Sequence, residues 1–274
     1  VTVSYASDGQ TDQVFTYFGF RDVCTRDGKT LLNHRPIYQR LILHQGYYDG
    51  GLLTADTDER YRTDLQTIKD MGFNGVRMHQ KIEDPLFYYW ADKLGLLVWG
   101  ELPSCYEFSE LSMRRSFESM REFIQRDYNH PSIVCWVPLN ESWGVRNIEH
   151  NAAQQRYAVS LYHFIKAMDS TPWVSTNDGW EQVTTDFCTL HDYSFDGKAL
   201  SSRWDDLDAL LQSAAQDRMI FASGYQYTGQ PILLTEFGGV AFKTNQSEKD
   251  WGYCAIEKNE ASYTRRLTSL FSYI

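Results

Sequence analysis

The chain has 274 residues, a formal net charge of -10 and 42% hydrophobic residues, enough apolar material for one large core. An acidic balance of this size argues against a nucleic-acid partner or an anionic membrane surface, and no apolar run approaches the roughly 20 residues of a membrane span. With 7 Pro, 18 Gly and no low-complexity run, no segment reads as disordered.

Residues 1–36 carry a strand-like segment, "DQVFTYFGFRDV", and then "TRDGKTLLN", whose Asp-Gly pair predicts a hairpin turn. From there strands and helices alternate. "PIYQRLILHQ" (36–45) reads as a strand, and "DTDERYRTDLQTIKDMG" (56–72) as a helix capped by Asp56 or Asp58 and stopped by Gly72. "FNGVRMH" (73–79) is a strand, "DPLFYYWADKLG" (84–95) a helix with Pro85 in its first turn, and "LLVWGE" (96–101) a buried strand. A long amphipathic helix follows at 111–130, a strand at 132–141 and another helix at 148–169. Strands are expected at 172–178, 185–193 and 231–236, and helices at 206–221 and 260–274. An eighth strand is expected within 239–255. This alternation predicts an α/β fold, a (β/α)8 TIM barrel over 37–274 preceded by a short β segment. The competing doubly wound sheet would place a Gly-rich phosphate loop after its first strand, and "LHQGYYDGG" has the wrong spacing.

The five cysteines, at 24, 105, 135, 188 and 254, are odd in number, scattered and without a CxxC pair. Free thiols in a reducing, cytoplasmic compartment are the expectation. Neither the cysteines nor the seven His show metal-ligand spacing, so no metal and no cofactor are expected. Val1-Thr2-Val3 has neither the basic nor the apolar region of a signal peptide. The start lacks Met, and the chain is expected to be a processed or excised piece.

In a barrel of this type the active site is built at the C-terminal ends of the strands. Those ends carry His44 and Gln45; Arg77 and His79; Glu101; Asn140 and Glu141; Asn177 and Asp178; His191, Asp192 and Tyr193; and Glu236. A lone His44 or His191 could equally be a solvated loop residue or a helix cap, and Arg77 a structural partner for a carboxylate. Glu141 and Glu236 are different. Each ends an apolar strand, "CWVPLNESWG" (135–144) and "QPILLTEFGG" (230–239), where a merely buried carboxylate would destabilise the fold. A two-carboxylate hydrolase supplies a reason for both.

"NHPSIVCWVPLNESWG" and "PILLTEFGG" resemble the two active-site signatures of glycoside hydrolase family 2, which includes β-galactosidases, β-glucuronidases and β-mannosidases. "GFNGVRMHQKIEDPLFYYWADKLGLLVWGELPS" (72–104) is similar to that family's second and third strands, and "FTYFGFRDV" to the entry from its preceding sandwich domain. The resemblance implies Glu141 as acid/base on the fourth strand and Glu236 as nucleophile on the seventh. It implies Asn140 on the sugar 2-hydroxyl and Arg77 as the donor that keeps the nucleophile ionised. Such an enzyme retains anomeric configuration and needs carboxyl groups about 5–5.5 Å apart. His79, Glu101, Asp178, His191 and Tyr193 are expected to bind substrate, and Trp143, Trp180 and Trp251 are candidate platforms for a sugar's C–H face. The large β-galactosidases' Glu-x-His metal element is unmatched in "GELPSCYEFSE", and no Lys has Asn two positions before it, as the β-glucuronidases' carboxylate-holding element requires. A terminal β-galactoside is therefore the leading expectation. A β-glucuronidase or β-mannosidase, or a catalytically weak carbohydrate-binding barrel, stands as the alternative, and oligomerisation would run through missing domains. A cysteine hydrolase built on Cys105 with His79 or His191 lacks a nucleophile motif.

Overall fold

A computed structural model describes residues 1–212, 218–245, 252–253 and 256–274. The chain divides into two compact units, one comprising 1–103, 115–136 and 164–173, the other 104–114, 137–163 and 174–274. Among the described residues no helix is long and apolar enough to cross a membrane.

The first unit opens with antiparallel strands. β1 (Thr2–Ser7) pairs with β2 (Gln10–Phe15), and β3 (Val23–Arg26), β4 (Lys29–Leu32) and β5 (Arg35–Pro36) form a three-stranded sheet. The expected Asp-Gly turn joins β3 to β4. Asp27 and Gly28 both adopt left-handed φ, 52° and 69°, as the tight hairpin requires. Parallel pairing then begins: β6 (Leu41–His44) pairs with β7 (Gly75–Met78), and β7 with β8 (Leu97–Glu101). Helix α1 (Asp58–Asp70) crosses between the first two strands and α2 (Pro85–Leu94) between the second two. These are βαβ units, the building block anticipated from the alternation.

Local chemistry explains the helix ends. Asp84 caps α2 through the Leu86 N–H at 2.9 Å, and Gly95 ends it at φ 71°. The cap expected of Asp56 or Asp58 is not formed. Thr57 occupies that position without a side-chain bond, and Asp58 instead accepts from the Trp90 indole. Helix α3 (Glu110–Asp127), β9 (Ile133–Val137), α4 (Ala152–Met168) and β10 (Trp173–Val174) continue the series, and the sheet order is β10-β9-β8-β7-β6. Val76, Met78, Val98 and Val134 are fully buried within it, as strands covered on both faces demand. Strand β10 is two residues long, far shorter than 172–178. Thr176, Asn177 and Asp178 direct side chains into hydrogen bonds instead of extending the ladder.

In the second unit β11 (Cys188–Asp192) pairs in parallel with β12 (Ile232–Phe237). Between them come α5 (Gly197–Trp204), which the sequence pattern did not reveal, and α6 (Leu207–Gln212), shorter than the helix expected at 206–221, since 218–221 are not helical and Phe221 bridges to Gln182. Residues 213–217 of that expectation lie outside the described residues. Cys188, Leu190, Leu210 and Ile220 form a buried cluster with Trp204 and Ile232 against it. Short strands β13 (Ala241–Phe242) and β14 (Ile256–Glu257) pair in parallel, and α7 (Glu260–Phe271) closes the chain. Within 239–255, where an eighth strand was sought, the described residues hold β13, which pairs with β14 in a sheet of its own; residues 246–251, 254 and 255 lie outside the described residues.

Candidate active site

Strand β12 places its register to suit a site. Pairing with β11 runs Leu190 opposite Leu234 and then His191 opposite Glu236, so Thr235 is an extra residue at a bulge. A bulge re-aims the side chains beside it. Here it sets His191 and Glu236 opposite each other at adjacent strand ends. His191 Nε2 lies 3.5 Å from Glu236 Oε1, and the Tyr193 hydroxyl donates to Glu236 Oε2.

Glu141 reaches the same place from a strained turn. Glu141 and Ser142 both hold left-handed φ, 51° and 56°, a conformation that non-glycine residues adopt sparingly. The surroundings compensate. The Glu141 N–H donates to the Asp178 carbonyl at 2.9 Å, and the Ser142 N–H to Asn177 Oδ1 at 3.0 Å. The Asn177 amide also donates to Ser142 Oγ and to the Trp180 carbonyl. Asn140 bridges in parallel to Asp178. The resulting curl presents the Glu141 side chain 23% exposed, whereas Glu236 is 4% exposed.

The centre of this cluster is His191, fully buried. Its Nδ1 lies 2.7 Å from Glu141 Oε1 and its Nε2 2.9 Å from Asp178 Oδ2. Burial would lower the imidazole pKa, but the charge of Glu236 and the hydrogen bonds of Asp178 and Glu141 outweigh it and push it up to about 9. Trp180, itself buried, meets the imidazole edge to face with ring centroids 5.4 Å apart. The Tyr193 phenol is held well above its ordinary range, first by burial and then by Glu236, and so stays a donor.

Oxygen and nitrogen atoms of Glu141, His191 and Glu236 all lie within 4.8 Å of one another, the one such grouping among the described residues that could hold a metal ion. Both His191 nitrogens already face carboxylates, so a cation there would have to displace the imidazole proton.

The first unit holds its own polar cluster at the strand ends. Arg77 donates from Nε to Glu101 Oε2 at 2.9 Å, with both side chains buried. Glu101 Oε1 accepts the Gln80 N–H at 2.9 Å and lies 3.2 Å from His79 Nδ1. A cavity of about 720 Å³ in this unit is lined by Gln45, Tyr47, His79, Lys81, Glu83 and Arg126. Lys81 is engaged with Glu83 at 2.6 Å.

Sequence reading thus named Asn140, Glu141, Asp178, Trp180, His191, Tyr193 and Glu236, which converge, and Arg77, His79 and Glu101, which share the first unit's cluster. Trp251 lies outside the described residues. Trp143 sits between Tyr106 and the guanidinium of Arg146, 4.1 Å above its ring. Tyr253 was missed. Its ring lies flat on Tyr193, centroids 3.9 Å apart and planes 2° apart, within the 239–255 stretch, where the sequence pattern sets no sharp strand boundary.

Parallel strands ending on a close pair of carboxyl groups are the architecture of a barrel glycosidase domain. The chain belongs to glycosyl hydrolases family 2, matching its TIM barrel domain over residues 23–248, and has that α/β barrel fold. It is 34% identical over 247 residues to a β-galactosidase of Thermoanaerobacterium thermosulfurigenes, covering 88% of this chain and 31% of that protein. To a β-glucuronidase of Streptococcus agalactiae it is 27% identical over 182 residues, 59% of this chain and 29% of that protein. The chain therefore spans under a third of either relative. Among solved structures, it resembles a β-D-glucuronidase of Dictyoglomus thermophilum at TM-score 0.74, 18% identity, 98% of this chain and 47% of that one. A β-galacturonidase of Eisenbergiella tayi bound to galacturonate matches at TM-score 0.71, 21% identity, 96% of this chain and 45% of that one. At these identities the likeness is one of fold.

Proposed function

We propose that the protein is a retaining, exo-acting β-glycosidase, with Glu236 as nucleophile and Glu141 as acid/base, acting on terminal β-linked sugars of the galactoside type. The observation that carries this reading is the spacing of the two carboxyl groups, whose facing atoms are within 4.8 Å. Retaining enzymes use a separation of about 5–5.5 Å, whereas inverting enzymes need room for a water between the groups. Exposure divides the roles. Glu236 is enclosed and accepts a hydrogen bond from the Tyr193 hydroxyl, which holds it as the attacking group. Glu141 is the more open group, able to meet both leaving group and water.

In the first step a Glu236 oxygen attacks the anomeric carbon, and Glu141 delivers its proton to the departing glycosidic oxygen. In the second, Glu141 takes a proton from water, whose oxygen displaces Glu236 and returns the anomeric configuration. Asn140 is the proposed partner of the 2-hydroxyl and Trp180 a candidate platform. Arg77, His79 and Glu101 remain candidate substrate contacts. Their mutual bonding makes the buried Arg77–Glu101 pair also a structural element. No cofactor is called for by this chemistry. The scattered cysteines support a cytoplasmic setting.

The galactoside preference rests on the relative matched over most of the chain. The test is intact-mass labelling with activated 2-deoxy-2-fluoro galactosyl, glucosyl, mannosyl and glucuronyl reagents, followed by peptide mapping. A galactosyl adduct on Glu236 is expected. An adduct with the glucuronyl reagent alone would replace the sugar assignment, and labelling at another residue would replace the nucleophile.

A further inference from the structure

Three carboxylates from three separate parts of the second unit face one imidazole. Glu141 comes from the turn after β9, Asp178 from the segment after β10 and Glu236 from β12, at 2.7, 2.9 and 3.5 Å from the His191 ring nitrogens. A neutral imidazole carries one N–H. It could satisfy Glu141 or Asp178, leaving a lone pair aimed at an oxygen of the other. An imidazolium satisfies both. The site is shaped for that ring: a Cβ at Gly179 would come within 2.8 Å of it, and Trp180 closes one side.

We propose that His191 is a positioning residue: held as an imidazolium by Asp178, it fixes the Glu141 carboxyl and screens it from the charge of Glu236. This rests on the roles assigned to Glu141 and Glu236. Asp178 is suited to the task because Ser175 Oγ donates to its other oxygen at 3.0 Å, and its carbonyl holds the Glu141 N–H at 2.9 Å. The same residue therefore places the backbone of Glu141 and the ring that meets its side chain. The remaining charged or titratable groups nearby lie further out. Tyr193 and Tyr253 stack on each other with Tyr193 donating to the far oxygen of Glu236, and Arg218 sits 5.6 Å over the Trp180 ring. The raised imidazole pKa agrees with this arrangement.

Replacing the imidazolium removes a cation from between carboxylates, and carboxylates without it ionise less readily. His191→Asn is therefore expected to lower kcat about tenfold to a hundredfold, with KM little changed. Both limbs of its kcat/KM profile should move to higher pH. Asp178→Asn should move them the same way by less. Loss of activity in a folded His191→Asn protein with unmoved limbs would overturn the proposal, and if that variant does not fold, Asp178→Asn decides. Histidine 15N NMR on the unaltered protein gives an independent reading: two protonated nitrogens on His191 at pH 7 are expected, and a neutral ring would overturn it. Fluoro-sugar labelling of the unaltered protein separates the two levels, since a missing Glu236 adduct counts against the glycosidase reading whatever the NMR shows.

Discussion

Tyr193 and Tyr253 lie ring on ring, planes 2° apart, and the upper link of this stack is a hydroxyl donating to Glu236. The phenol cannot swing away without losing its partner ring. A hydrogen bond to a carboxylate is worth about 1.5–3 kcal/mol, so Tyr193→Phe should slow formation of the fluoro-sugar adduct roughly tenfold to a hundredfold. Stopped-flow mass measurement reads that rate directly. Tyr253→Ala should act in the same direction and more weakly, because it frees the donor without deleting it.

The two carboxylates make distinguishable predictions. Glu236→Ala should abolish turnover of activated aryl β-galactosides, with azide restoring part of it as a glycosyl azide of inverted configuration. Glu141→Ala should lose about 10²–10⁴-fold on substrates with poor leaving groups while largely keeping its rate of glycosylation by good ones. Product configuration by proton NMR separates the cases. Azide adducts of the same configuration from both variants would mean that the roles are misassigned.

Stability should depend on pH through His191. Its folded pKa, about 9, lies above the ordinary 6.5, so its contribution is fully present below pH 6.5 and lost as pH rises through 9. Full loss would be on the order of 3 kcal/mol. Urea midpoints across pH 6 to 9.5 should fall, and His191→Asn should flatten that slope. An equal slope in the variant would show that other groups carry it.

Gly179 leads to a test that touches neither carboxylate. Its φ is 103°, and an added Cβ would meet the His191 ring at 2.8 Å. Gly179→Ala combines backbone strain with displacement of the imidazole, a destabilisation of about 1–3 kcal/mol from strain alone. Thermal unfolding and turnover should drop together. Gly224, also at positive φ but with open space around it, is the control that separates strain from displacement.

In the first unit, Glu101→Gln should destabilise by about 3–5 kcal/mol, because it removes one charge of the buried Arg77–Glu101 ion pair. Replacing both residues by apolar ones should recover much of that in a denaturation series. Non-additivity of this kind would establish the pair as a structural element as well as a candidate contact.

The strand-end carboxylates were legible because an apolar run that finishes on Glu has no cheap structural explanation, and Glu141 and Glu236 stood out on that ground. The βαβ rhythm was legible for a similar reason: 75–78 and 97–101 are short, largely apolar runs alternating with helical patterns, and α2 is marked by Asp84, Pro85 and Gly95. What the sequence withheld depends on contacts distant along the chain. Asp178 read as a substrate ligand, and its carboxylate also meets His191, 13 residues on, with register set by the bulge at Thr235. No local pattern announces a bulge. Asn177 was visible at a strand end, but its task of steadying the left-handed Ser142, 35 positions away, is a property of the folded chain alone. Arg77 was expected to serve the nucleophile; its pairing with Glu101 on the neighbouring strand is a further contact that the sequence did not announce.

The left-handed pair at Glu141 and Ser142 has a further implication for how activity should fade. That curl is kept by the Asp178 carbonyl and the Asn177 amide. If those ties loosen, the backbone relaxes and the acid/base carboxyl turns away in the same event. Heat or denaturant should then abolish turnover in step with tertiary structure, leaving little room for a form that is partly melted yet still at work.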